Sequence, residues 1–221
     1  MGSDKIHHHH HHMELKILVT GGNVFVPGRL NAHFSTVVYL EHKDRRIIID
    51  PGNLSSMDEL EEKFSELGIS PDDITDVLFT HVHLDHIFNS VLFENATFYV
   101  HEVYKTKNYL SFGTIVGRIY SKVISSWKNV VLLKGEESLF DEKVKVFHTP
   151  WHAREHLSFL LDTENAGRVL ITGDITPNRL SYYDIIKGYG SVQVKNFLDR
   201  VGRIDLLVFP HDAPLKPEVK K

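Results

Sequence analysis

THVHLDH, residues 80–86, places three histidines and one aspartate in seven positions, directly after the apolar run of residues 77–79. Histidines at positions i and i+2 point the same way only in extended or turn-like backbone, and His81 and His83 have this spacing. Asp85 and His86 follow at once, and a tight loop would turn them toward a neighbouring position. Imidazole nitrogen suits zinc, iron or manganese, and carboxylate oxygen can complete or bridge such a site. The stretch therefore predicts a metal site at the end of a strand.

More candidate ligands lie at the ends of later apolar runs. HTPWHAREH, residues 148–156, holds three histidines, and Asp174 and His211 each follow a further run of strand type. Six or seven nitrogen and oxygen ligands are more than one tetrahedral ion needs, so two ions close together are the economical interpretation. A chance cluster in a solvated loop is the alternative, but it does not explain four potential ligands within six residues at a strand end.

Short β-branched runs alternate with segments of helical apolar spacing along the chain, which indicates an α/β fold. The predicted strands cover residues 15–20, 35–50 as a hairpin, 74–80, 96–100, 129–133, 144–149, 157–172 as a second hairpin, and 204–210. The predicted helices lie within residues 55–69, 102–126 and 180–200. In α/β architectures chemistry collects on loops at the ends of strands, so converging strand ends would bring these polar clusters together.

The composition excludes several classes of protein. Residues 1–12, MGSDKIHHHHHH, are interpreted as an expression tag, and the 221-residue chain has no cysteine and a net charge of −4. Disulfides and thiolate ligands are therefore impossible, and broad electrostatic binding to nucleic acid is disfavoured. No segment approaches the apolar length of a membrane span and no secretory leader follows the tag, so we expect a cytoplasmic protein without membrane contact. The sequence does not indicate an oligomeric state.

Five motifs, in order, carry a resemblance to a known family. THVHLDH resembles the HxHxDH signature of the metallo-beta-lactamase superfamily. IIIDPG (47–52), which precedes it, and HTPWH (148–152), ITGDI (171–175) and FPHDAP (209–214), which follow it, resemble the family's other motifs. The resemblance implies a four-layer αββα sandwich, with two mixed sheets flanked by helices, formed by a single domain over residues 13–221.

The resemblance also implies a role for each matching residue. Three histidines would hold the first metal: His81, His83 and His152. Three residues would hold the second metal: Asp85, His86 and His211. Asp174 matches the aspartate that bridges the two ions, and Asp50 matches a residue that supports the ligand loops without binding metal.

Several residues depart from the family pattern or lie beside it. Trp151 replaces the glycine before the third ligand, so its indole must either point out of the site or form one wall of it. Phe88 replaces a small residue just after HxHxDH, and no glycine separates Pro210 from His211. His156 is predicted to orient a ligand or to touch substrate, and His33, in a predicted loop, is a candidate contact at the rim.

This ligand set predicts a metal-dependent hydrolase. Two divalent ions, zinc in the first place and iron or manganese as alternatives, would share a bridging hydroxide as the nucleophile. Asp85 and Asp174 are the predicted catalytic residues, because Asp85 would orient the hydroxide and Asp174 would bridge the ions. The predicted substrate is a small molecule with an ester, thioester, lactone or related bond. The missing leader and cysteine disfavour antibiotic hydrolysis. His83 stands where the family's diiron redox members have glutamate, which disfavours oxygen or nitric oxide reduction.

Two other functions stay open at this stage. A phosphodiesterase or ribonuclease acting on RNA or nucleotides is the first, because short single-domain members of the family include an RNA-cleaving activity. Residues 101–128 contain five basic side chains interleaved with aromatic ones, a composition that single-stranded nucleic acid binding uses. An amphipathic helix that buries its rings and solvates its lysines is the simpler interpretation of this segment. The second function is a metal-binding protein without catalysis, which the complete ligand set disfavours.

Overall fold

A computed structural model describes residues 12–218, so most of the predicted tag lies outside the described residues. The strands of the described chain, numbered in order, are β1 Glu14–Val19, β2 Gly22–Val26, β3 Leu30–Phe34, β4 Val37–His42, β5 Arg45–Ile49, β6 Asp76–Leu78, β7 Thr97–His101, β8 Asn129–Leu133, β9 Ser138–Leu139, β10 Val144–His148, β11 Leu157–Thr163, β12 Gly167–Ile171 and β13 Leu206–Val208. The α-helices are α1 Met57–Leu67, α2 Leu84–Ile87, α3 Thr114–Ser125, α4 Arg179–Ile186 and α5 Val192–Val201.

Two mixed sheets form the centre of the fold. The first has six strands in the order β1-β4-β5-β6-β7-β8, antiparallel from β1 to β5 and parallel from β5 to β8. The second has five strands in the order β13-β12-β11-β10-β9, in which only β12 and β13 run parallel. β2 and β3 pair with each other as a separate hairpin.

Three hydrophobic cores separate four layers. The central core lies between the two sheets, and the first outer core lies between the first sheet and the layer of α1 and α3. The second outer core lies between the second sheet and the layer of α4 and α5. The predicted αββα sandwich with two mixed sheets and flanking helices is therefore confirmed.

The strands owe their apolar runs to burial on both faces. In β4, Val37 and Tyr39 face the first outer core, whereas Val38 and Leu40 face the central core. In β12, Leu170 faces the second outer core while its neighbours face the central one. Side chains alternate across a strand, so a sheet covered on both faces requires apolar residues at successive positions.

The β2–β3 hairpin is the main element that the sequence analysis did not predict. His33 was expected in a loop but lies in β3, opposite Asn23 of β2. Many side chains of this hairpin are solvent-exposed, including Phe25, so the burial signal that marks the other strands is missing here. Among residues 12–218, no helix has both the length and the apolar character needed to cross a membrane.

Candidate metal centre

The candidate site lies at one edge of both sheets, where strand ends meet. Parallel pairing of β5 with β6 and of β12 with β13 puts the carboxyl ends of each pair at the same edge. Asp50 and residues 80–86 follow the first pair, and Asp174 and His211 follow the second. Two backbone hydrogen bonds join the edges, from Leu157 N to the Thr80 carbonyl at 2.6 Å and from Thr36 N to the Pro210 carbonyl at 2.8 Å.

The structure brings all seven predicted ligand residues together in two groups. In each group, one candidate ligand atom per residue lies within 4.8 Å of the others. The first group consists of His81, His83, His152 and Asp174. The second group consists of Asp85, His86 and His211. This division matches the one that the resemblance implies, and the binding of metal by these residues stays a prediction.

Asp174 lies between the two groups. Its Oδ2 atom is 3.1 Å from His81 Nε2 and 3.3 Å from His152 Nε2, both in the first group. The same oxygen is 3.3 Å from His86 Nε2, and the Oδ1 atom is 3.3 Å from His211 Nε2, both in the second group. One carboxylate therefore reaches four imidazoles, an arrangement that suits a shared ligand.

Hydrogen bonds behind the site fix which ring nitrogen of each histidine faces it. Asp50 accepts hydrogen bonds from the Thr80 hydroxyl at 2.6 Å and from His86 Nδ1 at 2.7 Å. Since the Thr80 hydroxyl has one proton and gives it to Asp50, its oxygen accepts from His81 Nδ1 at 2.9 Å. His211 Nδ1 likewise donates to the Phe34 carbonyl at 3.2 Å. In all three histidines Nε2 is left to act as a ligand atom, as outer hydrogen bonds to metal-binding histidines usually ensure.

His156 supports Asp174 from behind. It is fully buried, its Nε2 accepts a hydrogen bond from the Asp174 backbone N–H at 3.0 Å, and its Nδ1 bonds Thr149 Oγ1 at 2.8 Å. Gly173 leaves room for this contact, since a Cβ atom there would lie 2.4 Å from His156 Nε2. Of the two predicted roles for His156, the geometry supports orientation of Asp174.

Several ligand atoms of the site lack hydrogen-bond partners, which suits a site for cations. Among the described residues, three buried ligand atoms form no hydrogen bond: His81 Nε2, His86 Nε2 and Asp174 Oδ1. Buried polar atoms without a partner are rare in folded proteins, and an ion or a water usually satisfies them. All three face the same space, so cations there would satisfy them together.

The electrostatics of the site also suit cations. Burial, reinforced by the neighbouring His86, lowers the pKa of His81, and burial and Lys107 lower the pKa of His83 to about 4. Both imidazoles are therefore neutral near pH 7, as metal ligation requires. Burial would lower the pKa of His86 too, but Asp85, Asp174 and Asp50 raise it well above its ordinary value. A negative potential that retains a proton on a buried histidine also favours a divalent cation.

The carboxylate of Asp174 is ionised in this environment. Burial would raise its pKa, but the positive charge retained on His86 holds that pKa far below its ordinary value. An ionised carboxylate in a largely buried position must be paired with positive charge. The ionised state of Asp174 therefore depends on positive charge within the site.

The three residues predicted at the rim of the site make different contacts. The His33 ring is edge-on to the His211 ring, with 5.5 Å between centroids, so this residue does border the site. Trp151 packs on Phe197 of α5, 5.8 Å between centroids, as part of the second outer core. Phe88 packs against the first outer core.

Four residues beside the ligands were not among the predicted site residues. Glu155 is buried and accepts a hydrogen bond from Val82 N at 2.9 Å, and Lys107 Nζ lies 3.1 Å from its carboxylate. The Phe112 ring meets His83 edge-on at 5.7 Å, and the Tyr120 hydroxyl accepts from Leu84 N at 3.0 Å. Only the basic and aromatic character of residues 101–128 pointed to three of them, and nothing in the sequence pairs Lys107 with Glu155.

The nucleic-acid interpretation of residues 101–128 is not supported. Three of the segment's aromatic side chains, Tyr104, Tyr120 and Trp127, are buried in the first outer core and cannot stack on bases. Lys107 is paired with Glu155. The segment forms short 3₁₀ turns followed by α3, which agrees with the amphipathic interpretation.

Comparison with curated proteins gives partial matches. The chain is 28% identical over 130 residues to metallo-beta-lactamase domain-containing protein 1 of Xenopus laevis, covering 58% of this chain and 49% of that protein. It is 22% identical over 167 residues to an N-acyl homoserine lactonase of Bacillus cereus, covering 72% of this chain and 64% of that protein. The chain thus matches less than two-thirds of the length of either relative.

Solved structures match over more of the chain. A quorum-quenching N-acyl homoserine lactone lactonase superposes with a TM-score of 0.66 at 19% identity, covering 91% of this chain and 92% of that one. AidC, a dizinc quorum-quenching lactonase, gives a TM-score of 0.67 at 15% identity, covering 86% and 77%. At these identities the likeness concerns the fold. The family model described as the metallo-beta-lactamase superfamily matches residues 28–211. With the sandwich, the strand-end site and this match together, the chain belongs to the metallo-beta-lactamase superfamily.

Proposed function

We propose that this protein is a binuclear metal-dependent hydrolase that cleaves an ester, thioester or lactone bond in a small molecule. The observation that carries the proposal is the position of Asp174, whose carboxylate lies 3.1–3.3 Å from four histidines in two ligand groups. Two ligand groups joined by one carboxylate are what a two-ion site needs. In this proposal residues 13–221 act as one domain.

The residues would divide between two ions. The first ion would be held by His81, His83 and His152, the second by Asp85, His86 and His211, and Asp174 would serve both. Zinc suits this set of nitrogen and oxygen ligands, with iron and manganese as alternatives. When bound, two such ions supply a water of lowered pKa and an electrophile for the oxygen of the scissile bond.

The chain's own side chains have separable tasks in this proposal. Asp50 holds His86, and His156 holds the backbone of Asp174. The Asp85 carboxylate is about one-fifth exposed, so it is accessible to accept a hydrogen bond from an attacking water and to orient it. His81 and His86 are fully buried, which excludes solvent from the inner side of the site. His152 is partly exposed, so substrate would enter on its side.

A cavity of about 190 Å³ lies on this exposed side, lined in part by His83, Val103, His152 and Arg154. Pockets for drug-sized ligands are larger, roughly 300–1,000 Å³, so a small acyl or alcohol group suits this space. Within the described residues the Arg154 side chain forms no ion pair or hydrogen bond, and it gives this cavity a free positive charge. We therefore propose a small substrate, favoured when it carries a negative charge near the scissile bond.

The similar proteins support the same reaction class. Curated relatives are named N-acyl homoserine lactonases, and one solved neighbour is described with the product N-hexanoyl-L-homoserine at its catalytic metal centre. Lactone opening is ester hydrolysis, which the proposed site would catalyse.

The test compares metal-loaded and chelator-treated protein, without the tag, on a lactone, a glutathione thioester, bis-p-nitrophenyl phosphate and a short RNA. We expect hydrolysis of the lactone or the thioester, loss of turnover on chelation, and recovery on adding zinc. His152→Ala should lose metal and activity, whereas His148→Ala, in the same segment but outside both ligand groups, should keep them. Turnover of the phosphodiester or RNA alone would contradict the proposed substrate class, and turnover of none would leave a non-catalytic metal-binding protein.

A further inference from the structure

We propose that the ion pair between Lys107 and the buried Glu155 positions the first ligand group by clamping the backbone of Val82. Glu155 Oε2 accepts a hydrogen bond from Val82 N at 2.9 Å, and Lys107 Nζ donates to the Val82 carbonyl at 3.4 Å. Lys107 Nζ also lies 3.1 Å from each oxygen of the Glu155 carboxylate. The inference rests on the ligand groups of the proposed function.

The clamp fixes the two peptide units that join His81 to His83. The N–H of Val82 belongs to the peptide unit shared with His81, and its carbonyl belongs to the unit shared with His83. Each peptide unit is planar, so holding these two groups leaves little freedom for either plane to rotate. The clamp therefore sets the directions in which the two histidines leave the backbone.

The same ion pair connects three of the segments that surround the first group, although it does not contact the segment of Asp174. Glu155 lies in the segment that contains His152, and Lys107 lies in the segment between β7 and α3. Lys107 Nζ also lies 5.3 Å from the centre of the Phe112 ring, which packs edge-on against His83. Among the described residues, the contacts of this pair do not reach Asp85, His86 or His211, the second group.

Stability alone does not account for an ion pair at this depth. Glu155 is 1% exposed, and the cost of removing two charges from water often exceeds the attraction between them. A hydrophobic pair of the same volume would stabilise the fold as well, but it would leave the N–H and carbonyl of Val82 unpaired. The polar pair satisfies both backbone groups, and the same contacts hold the backbone between His81 and His83 in place.

Asp76 offers a matched control for this clamp. Its carboxylate is also 1% exposed and also paired with a cation, Arg45, at 3.1 Å, and it accepts from the Tyr99 hydroxyl at 2.7 Å. Asp76 is the first residue of β6, whereas His81 lies beyond the other end of that strand. The ion pair of Asp76 therefore lies away from both ligand groups. Loss of Asp76 should cost stability without acting on the ligands.

The experiment measures the affinity for each of two zinc equivalents, by competition with a chelator, in tag-free protein. Glu155→Ala is expected to weaken one of the two equivalents by about 10–100-fold, the range typical for lost outer partners of metal ligands, and to leave the other unchanged. Glu155→Gln, which can still accept from Val82 N, should recover most of the loss. Asp76→Ala should lower the midpoint of urea unfolding of the metal-free protein and leave both zinc affinities unchanged.

Lys107→Met provides a second variant if Glu155→Ala does not fold, and it should weaken the same equivalent. The proposal is overturned if Glu155→Ala binds both equivalents as tightly as the parent, if it weakens both equally, or if Asp76→Ala reproduces its effect. Because this experiment measures metal binding, a failure of the positioning proposal can be distinguished from a failure of the proposed function. A parent that binds two zinc ions but hydrolyses nothing contradicts the function and leaves the clamp standing.

Discussion

Asp50 Oδ2 and His86 Nδ1 are joined by a hydrogen bond of 2.7 Å between two buried side chains. Asp50 directly follows β5 and has a left-handed backbone, φ 51°, and the same carboxylate accepts from Thr80 N at 2.8 Å. One aspartate in an uncommon conformation therefore orients a candidate ligand and anchors the loop that carries the others. Backbone of this kind is retained where the surrounding structure requires it.

Asp50→Asn should weaken binding at the second ligand group more than at the first. Asparagine tolerates the left-handed conformation, so the backbone should be kept while the charge that orients His86 is lost. We expect about a 10–100-fold loss of affinity for one zinc equivalent, measured by chelator competition. Equal affinities in variant and parent would show that Asp50 does not support the ligand.

Gly173→Ala should destabilise the metal-free fold by about 1–3 kcal/mol. The added Cβ would lie 2.4 Å from His156 Nε2 at a backbone φ of 58°, so both steric overlap and backbone strain oppose it. Gly68→Ala is the control, because Gly68 has a φ of 69° with nothing within 4 Å of its Cβ position. Urea unfolding should show a larger loss for Gly173→Ala, and equal losses would mean that His156 moves aside at no cost.

Local signals in the sequence predicted an α/β fold and the candidate ligands, whereas the four-layer arrangement came from the family resemblance. Runs such as residues 47–49 must be apolar at successive positions, since β5 is covered on both faces. The ligands stand directly after such strands, so the two parallel strand pairs bring them to one edge. Spacing alone placed His81 and His83 together.

The remaining features depend on contacts between distant segments. Lys107 and Glu155 are 48 residues apart, and neither lies in a sequence pattern that predicts the other as its partner. The β2–β3 hairpin had a turn signal in Pro27-Gly28, but its exposed side chains give no burial pattern. The Trp151 indole was expected either to point out of the site or to form one wall of it. The sequence does not predict its neighbour, and in the structure the indole packs against Phe197.

The stability of the fold should depend in part on His101 as the pH falls below about 6.5. Burial and the stacked His148, 4.2 Å away, lower its pKa below 6.5 in the fold, against the opposing effect of Glu102 and Glu155. The unfolded chain then takes up the proton first, so the contribution of His101 is present above about pH 6.5 and is lost as the pH falls through its folded pKa.

His101→Asn removes this titration and keeps the acceptor that His101 Nδ1 provides to Val103 N at 3.1 Å. Urea midpoints of metal-free protein should fall less with acid in the variant than in the parent. An identical pH dependence of the two proteins would rule out this contribution of His101.

Arg154→Gln should reduce the preference for negatively charged substrates. The ratio of kcat/KM for a carboxylate-bearing ester to kcat/KM for its neutral analogue should fall by about three- to fivefold, the size expected of a partly exposed charge pair. Arg118→Gln, an equal change of charge at an exposed position on α3, should leave the ratio as it is. A ratio that responds equally to both variants would reflect net charge and not recognition in the cavity.

The most direct test of the two-ion hydrolase is a zinc titration of metal-free, tag-free protein in which bound zinc per chain and lactone or thioester hydrolysis are measured on the same samples. We expect no turnover without zinc, a rise in turnover until two ions per chain are bound, and loss of both by Asp174→Ala. Full hydrolysis without metal, or by Asp174→Ala at a single bound ion, would contradict the account.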